Sequence, residues 1–192
     1  MATKLSRYAE GIMEAAWILA VIVVPVFFNI YSSRIFEPDK LALLRSLGLV
    51  ILGAWLIKLL EEGGARWQRL ERGKNWWQTL RSVPLMLPVV ALVAVYLIAT
   101  IFSVSPRVSW WGSYQRLQGT YTTLSYLMVF LSMAVNLRRR EQVQRLITIA
   151  VLSSLPVSLY GILQHFQLDP IPWGGDTTLR IAANLGNSIF VA

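Results

Sequence analysis

Five stretches of about 20 mostly apolar residues alternate with shorter polar segments along the chain. They span residues 11–31, 41–60, 83–101, 120–137 and 146–165. A helix needs about 20 apolar residues to cross roughly 30 Å of hydrocarbon, so each stretch predicts one transmembrane helix. A sixth apolar run begins near residue 185 and reaches residue 192, about two helical turns, which is too short to span. The pattern predicts an all-α polytopic transmembrane helix bundle in one domain, residues 1–192, with five complete spans and the start of a sixth that is truncated at the C-terminus.

The composition agrees with a chain embedded in lipid. Of the 192 residues, 55% are hydrophobic and 15% are charged, whereas soluble domains contain about 25% charged residues. In a soluble protein the net charge of +8 would indicate nucleic acid. Beside apolar spans it indicates basic cytoplasmic loops, so no nucleic acid partner is expected. The absence of cysteine and the single histidine, His165, exclude thiolate chemistry and a multi-His metal site, and we expect neither a metal nor another cofactor.

Basic residues are distributed unevenly between the two sides of the predicted membrane. Twelve of the 18 Lys and Arg residues lie at the N-terminus or in and beside the second and fourth loops, and six lie on the other side. Because Lys and Arg accumulate in cytoplasmic loops, this bias predicts a cytoplasmic N-terminus. No small-x-small cleavage site follows the first span, so we expect it to be retained as a signal anchor. Arg45 and Lys58 lie towards opposite ends of the second span. We expect them to snorkel to opposite interfaces without a partner inside the bilayer.

The predicted cytoplasmic segment 66–80 interleaves tryptophan and leucine with four basic residues. This pattern is typical of a short helix that lies on anionic headgroups. It also fits an ordinary interfacial loop that is anchored by its tryptophans. In both cases the segment lies at the membrane surface.

The loops on the side of the membrane opposite the N-terminus, which we call the outer loops, also contain basic residues. Because the charge bias disfavours basic residues there, we examine these loops for catalytic and binding residues. The loop at residues 103–121 combines aromatic, amide and guanidinium groups, which is the combination that sugar or phosphate recognition requires. Its candidate substrate-binding residues are Arg107, Trp110, Trp111, Tyr114 and Gln118, and it also contains Arg116. The alternative is a belt of Trp and Tyr at the membrane interface, where these side chains accumulate anyway.

A further outer segment follows the fifth span and contains Arg180. His165 lies where that span meets the outer side. Three roles are open to His165: an acid or base that faces a ligand near neutral pH, the axial ligand of a tetrapyrrole metal, or a polar cap at a helix end. The first role adds His165 to the candidate substrate-binding residues.

Four segments follow one another along the chain: FEPDKLALLR, SPRVSWWGSYQRLQGTYTTLSYLMVF, YGILQHFQLDPIPWG and RIAANLGNSIFVA. In this order they resemble the N-terminal half of the O-antigen ligase and O-antigen polymerase superfamily of bacterial membrane glycosyltransferases. GSYQRLQG followed by a span is the most specific element. In the last segment Arg180 precedes Gly186 and Asn187, which is similar to the family's Arg and Gly-Asn, while Ser188 and Ile189 stand where the family often has Pro and Asn.

The resemblance implies a protein of the bacterial cytoplasmic membrane with about a dozen helices. Members of the family move a glycan from an undecaprenyl-pyrophosphate carrier to a sugar hydroxyl at the outer face, without a metal. The implied partners are membrane lipid and the polyprenyl-pyrophosphate-linked glycan. Partner membrane subunits are expected if the chain is part of a larger membrane complex. Arg116 and Arg180 match family positions best and are the catalytic candidates, because fixed guanidinium groups stabilise the charge on the departing pyrophosphate. A large later loop of the family holds further catalytic residues, so these 192 residues alone are expected to be inactive.

Two other functions stay open at this point. The chain is alternatively a non-catalytic multi-pass subunit of a larger membrane complex, with helices that serve for packing and tryptophans that serve for anchoring. A transporter usually shows broken helices in matching positions of two halves. The sequence shows no such symmetry.

Overall fold

The computed structural model describes residues 3–32, 36–61, 85–137, 139–171 and 176–186, and every regular element within them is helical. The helices are α1 (Lys4–Val26), α2 (Glu37–Glu61), α3 (Met86–Ile101), α4 (Pro106–Trp111), α5 (Thr120–Asn136) and α6 (Arg140–His165), and a 3-10 turn spans Ala183–Leu185. The predicted all-α fold is therefore confirmed for the described residues. The predicted surface segment 66–80 and residues 187–192 of the sixth apolar run lie outside them.

Three of the described helices are long and apolar enough to cross a membrane, namely α1, α2 and α6 with 23, 25 and 26 residues. The predicted count of five complete spans does not match, because α3 has 16 residues and α5 has 17. These lengths correspond to about 24 and 26 Å of helix. α3 begins after Leu85, whose backbone is left-handed (φ 64°), and α5 ends where Leu137 becomes extended. The apolar stretches continue past these helix ends, so hydropathy alone overstated the helix lengths.

α1 and α2 pack side by side and form the centre of the bundle. α1 buries positions 6, 9, 13, 16, 17 and 20, and this spacing of three or four residues places them on one helix face. Met13, Trp17 and Ile51 are almost completely buried where the two helices meet. Side chains of α5 and α6 pack against the same cluster.

α5 turns a polar face towards the bundle. Its buried residues are Thr120, Thr122, Ser125 and Ser132. Gly48 of α2 faces Ser125, and a Cβ at Gly48 would lie 3.2 Å from the Ser125 Cβ. Small and hydroxyl-bearing residues at such contacts let membrane helices approach closely. The close approach of α2 and α5 brings side chains of α2 within reach of the loop that precedes α5.

Contacts between helices define their directions. Arg45 contacts Thr122 and Gly48 contacts Ser125, and both pairs are separated by 77 residues, so α2 and α5 run parallel. α1 and α2 run antiparallel, because Lys40 near the start of α2 contacts the carbonyl oxygen of residue 25 near the end of α1. We call this end of the bundle the Lys40 end. It holds the start of α2, the start of α5 and the end of α1.

Two ion pairs join the helices at the opposite end, which we call the Lys58 end. Lys58 Nζ lies 2.6 Å from Glu10 Oε1 and donates to Asn136 Oδ1 at 2.9 Å. One turn further along α1, Glu14 accepts from Arg145 Nη2 of α6 at 2.5 Å. Both carboxylates belong to α1, so the ion pairs of α2 and α6 converge on that helix.

The expectation that Arg45 and Lys58 snorkel without partners is wrong. Their exposed fractions are 8% and 5%, and both donate hydrogen bonds to neighbouring elements. Lys40, one residue before the predicted second span, is also buried, because α2 already begins at Glu37. Neighbouring helices enclose these side chains, so their charged groups do not reach the surface. They hydrogen-bond to protein groups inside the bundle instead.

Candidate functional site at the Lys40 end

The 112–119 loop, with the sequence GSYQRLQG, connects α4 to α5. Its two terminal glycines touch: a Cβ on Gly119 would lie 2.5 Å from the Trp110 carbonyl oxygen, and one on Gly112 would lie 2.5 Å from the Gln118 nitrogen. Gly112 also has φ 84° and ψ 165°, a conformation that is almost restricted to glycine. The glycines therefore close the loop, and residues 113–116 between them are exposed.

Arg45 of α2 binds both ends of this loop. Its Nη2 donates to the carbonyl oxygens of Trp111 and Leu117, both at 2.6 Å. Its Nε donates to Thr122 Oγ1 at 2.8 Å, and the Thr122 hydroxyl donates to the Leu117 carbonyl oxygen at 2.5 Å. The guanidinium carbon lies 4.9 Å from the centre of the Tyr121 ring, within the range of a cation–π contact. One buried side chain thus connects α2, α4, the loop and α5.

Leu117 provides the apolar contact of the same loop. It packs against the buried cluster of Ala20, Leu41 and Leu44 on α1 and α2. Its backbone is left-handed, with φ 51°, which turns the chain back towards Gly119. The loop is therefore held by one apolar and one charged contact, and both lie at the Lys40 end.

The candidate binding residues of this stretch lie on its exposed side. Trp110 is half-buried, and the exposed members are Arg107, Trp111, Tyr114, Arg116 and Gln118. The guanidinium groups of Arg107 and Arg116 make no hydrogen bond or ion pair with another residue that the structure describes. The structure brings these side chains together on α4 and the loop, and their role in binding stays a prediction.

The segment around the 3-10 turn is fixed to the same end. Lys40 Nζ donates to the Asn184 carbonyl oxygen at 2.6 Å and to the Pro25 carbonyl oxygen at 3.2 Å. Asn184 Nδ2 donates to the Val26 carbonyl oxygen at 2.8 Å, so the two residues together satisfy the last carbonyl groups of α1. Arg180 lies a few residues earlier and is exposed, so both predicted catalytic arginines belong to segments that are fixed at the Lys40 end.

His165 is exposed at the end of α6, and its ring packs edge-on against Phe166 with the ring centres 5.3 Å apart. Its neighbour Gln164 is completely buried instead, and Gln164 Oε1 accepts from the Ala183 backbone nitrogen at 2.7 Å. This hydrogen bond connects α6 to the 3-10 turn. His165 therefore lies at a helix end, and its role stays a prediction.

A polar cleft of about 370 Å³ lies beside Gln164 and is lined by Asp169, Asp176 and neighbouring hydroxyl and amide groups. Asp169 accepts from the Tyr160 hydroxyl at 2.6 Å and from the Ile171 nitrogen at 3.0 Å. The hydroxyl and backbone nitrogen of Thr178 donate to Asp176 and hold the pKa of that carboxyl below its ordinary value. Among the described residues no group of three or more His, Cys, Asp or Glu is placed to hold a metal ion.

No protein-family model, no curated protein and no solved structure matches this chain. The resemblance to the O-antigen ligase and polymerase superfamily stays a prediction.

Sequence reasoning missed four residues that organise this end of the bundle: Lys40, Arg45, Gln164 and Asn184. One pattern pointed to the first two, because a charged residue in or beside an apolar span is by default a paired or functional group. No pattern distinguished Gln164 from the exposed His165 next to it. Only the contacts of α6 with the 3-10 turn make that distinction.

Proposed function

We propose that this chain is a multi-pass membrane protein that transfers a glycan from a polyprenyl-pyrophosphate carrier to a sugar hydroxyl at the outer face of a bacterial cytoplasmic membrane. The Lys40 end faces outwards, and the N-terminus lies in the cytoplasm. Support comes from two sources. One is the resemblance of the sequence, and the other is the arrangement of arginines and aromatic residues at a single end of the bundle.

The proposed topology has five crossings. α2 ends at the Lys58 end and α5 begins at the Lys40 end, so the chain between them has to pass from one end to the other. α3 fits that passage, since Thr100 in its last turn hydrogen-bonds to Thr120 at the start of α5. A helix of about 24 Å crosses where the bilayer thins or where flanking residues extend the span. The basic bias then assigns the Lys58 end, with its arginine-rich flank, to the cytoplasm.

The observation that supports the proposed function most directly is the exposed arginine of a fixed loop. Arg116 lies on the 112–119 loop, whose two ends are bound to the bundle, and its guanidinium has no described partner. A departing pyrophosphate develops negative charge, and a preorganised guanidinium stabilises that charge without a metal. Arg180 lies on the second segment that is fixed at this end. Exposed aromatic side chains on α4 and the loop provide flat faces for sugar rings.

Charge-conserving substitutions test this proposal. Arg116→Lys and Arg180→Lys keep the charge but lose the bidentate fork, so each is expected to lower glycan transfer about a hundredfold, equivalent to about 3 kcal/mol. Arg140→Lys is the matched control, because Arg140 is also an exposed arginine but begins α6 at the Lys58 end. Transfer is measured in membranes that contain lipid-linked glycan extracted from the source cells and the full chain, by which we mean the full-length protein with the later loop that the resemblance implies. The rate is normalised to protein amount.

Two outcomes would contradict the proposal. Near-normal transfer in both Arg116→Lys and Arg180→Lys would remove the catalytic role of these arginines. No transfer by the unaltered full chain would favour a non-catalytic membrane subunit. The orientation has its own test, in which single cysteines at Ser113 and Gln144 are labelled with an impermeant thiol reagent in intact cells. Labelling at Gln144 but not at Ser113 would contradict the proposed orientation and place the Lys58 end outside.

A further inference from the structure

Arg45 is a buried charge without a carboxylate partner in the described part of the chain. Its exposed fraction is 8%, and it lies two helical turns inside α2. Its polar contacts there are all with uncharged groups: two carbonyl oxygens, one hydroxyl and one aromatic face. An arginine inside a membrane span is costly, so a neutral residue would be expected here if the position served packing alone.

The contacts of Arg45 converge on the 112–119 loop. The same nitrogen, Nη2, binds the carbonyl oxygen of Trp111 just before the loop and that of Leu117 near its end. Nε binds Thr122 Oγ1, and this hydroxyl binds the Leu117 carbonyl oxygen as well. The guanidinium therefore bridges the two ends of the loop, which the glycines bring together, and holds both of them against α2.

A lysine at position 45 does not reproduce this arrangement. A guanidinium is planar and presents its donors as a fixed fork, and it stacks on an aromatic face, whereas an ammonium is a compact point charge on a flexible stem. Three acceptors, from Trp111, Leu117 and Thr122, are bound through two nitrogen atoms of Arg45. A single Nζ on a shorter side chain cannot meet all of them and stack on Tyr121 as well. The substitution Arg45→Lys would therefore keep the charge and lose the geometry.

We infer that Arg45 is a positioning residue for Arg116. From inside α2 it fixes the 112–119 loop, and the loop in turn holds the exposed Arg116 where the reaction takes place. This inference rests on the proposed function, since it assigns Arg116 a role in transfer. Arg45 itself contacts the loop backbone and not the exposed face, so its effect on the reaction passes through Arg116.

A double-mutant cycle tests this dependence. Arg45→Lys is expected to lower kcat for glycan transfer at least tenfold in the otherwise unaltered full chain. In an Arg116→Lys background the same change is expected to lower kcat less than twofold, because the group that it positions is already impaired. Equal losses in both backgrounds would overturn the inference, because Arg45 would then act independently of Arg116.

Hydrogen–deuterium exchange of the full chain in lipid nanodiscs provides a readout that needs no activity. The amide nitrogens of Arg116 and Leu117 donate to the Ser113 carbonyl oxygen, at 3.1 and 2.7 Å, so they report on the closed loop. Arg45→Lys is expected to speed their exchange at least tenfold. Lys58→Met is the matched control, because it alters a buried cation at the other end of the bundle and should leave these amides unchanged. Unaltered exchange in a folded Arg45→Lys protein would overturn the inference.

Thr122→Val supplies a second variant in case Arg45→Lys does not fold. It removes the hydroxyl that joins Arg45 Nε to the Leu117 carbonyl oxygen while nearly keeping the side-chain shape. It is expected to speed loop exchange about threefold, and no change would count against the inference. If the unaltered chain shows no glycan transfer, the proposed function fails. Exchange then still decides whether Arg45 fixes the loop.

Discussion

Replacing Gly119 by alanine tests whether the 112–119 loop is closed by direct contact of its two ends. The Cβ of alanine would lie 2.5 Å from the Trp110 carbonyl oxygen and 2.7 Å from the Trp111 carbonyl carbon. Ordinary contacts of a Cβ are 3.4–4 Å, and both neighbours are backbone atoms, which cannot rotate away. Because φ of Gly119 is −109°, alanine fits the backbone conformation itself. The predicted effect is therefore purely steric.

The magnitude follows from the shift that this overlap requires. The backbone has to move by about 1 Å, and overpacking of this kind costs about 1 to 3 kcal/mol. Gly11 of α1 and Gly53 of α2 provide matched controls, because a Cβ at either position meets nothing within 4 Å. Alanine in a helix interior is favoured over glycine by about 1 kcal/mol. We therefore expect Gly119→Ala to be less stable than Gly53→Ala by about 2 to 4 kcal/mol.

Unfolding by SDS in mixed micelles, followed by tryptophan fluorescence, measures this difference. Gly11→Ala and Gly53→Ala should unfold at the same SDS fraction as the unaltered protein or at a higher one, and Gly119→Ala at a lower one. Hydrogen exchange of the loop amides shows whether the loss is local to the 112–119 loop. If Gly119→Ala is as stable as Gly53→Ala and its loop amides exchange at the unaltered rate, the two ends of the loop are not in contact.

Two further predictions concern charged groups elsewhere. Glu10→Gln and Lys58→Met, measured singly and combined by SDS unfolding, should show a coupling free energy of about 1 kcal/mol. The coupling is modest because one partner of this 2.6 Å ion pair is buried while the other is 41% exposed. A coupling near zero would contradict the pairing. The carboxyl of Asp176 has a pKa below its ordinary 3.8 because it accepts bonds from Thr178, so its stabilising effect is present above about pH 4 and is lost as pH falls through the lowered pKa. Titration of the Asp176 carboxyl by carbon NMR should give a midpoint below 3.8 in the unaltered protein and a higher midpoint in Thr178→Val. Equal midpoints in the two proteins would refute this prediction.

The positions of the helices were predictable because hydropathy is a local property of the chain. The predicted stretches 11–31, 41–60 and 146–165 correspond to α1, α2 and α6, although each helix begins four to seven residues earlier than its apolar stretch. Polar first turns such as Glu37 to Lys40 are compatible with a helix but invisible to a hydropathy average. The two shorter helices show the opposite error, since apolar residues such as Leu85 and Leu137 lie outside them.

The roles of the basic residues were not predictable in the same way. Position along the span led to the expectation that Arg45 and Lys58 reach opposite interfaces. Whether a side chain reaches the surface depends on which helices flank it, and α1 and α5 enclose Lys58 through Glu10 and Asn136. The partners lie 48 and 78 residues away along the chain, a separation that no local pattern reveals.

The sequence by itself determined that the described segments are helical, that several of them are apolar enough to cross a membrane, and that arginine and aromatic groups lie near GSYQRLQG. Composition and periodicity act within single helices, so they reveal these properties. Only the tertiary structure decided what that segment does in the fold. Packing of Gly48 against Ser125 sets the distance between α2 and α5, and this distance lets Arg45 reach both ends of the loop. Arg45 contacts the loop only because α2 and α5, which are far apart along the chain, pack closely together. That packing is a property of the assembled bundle.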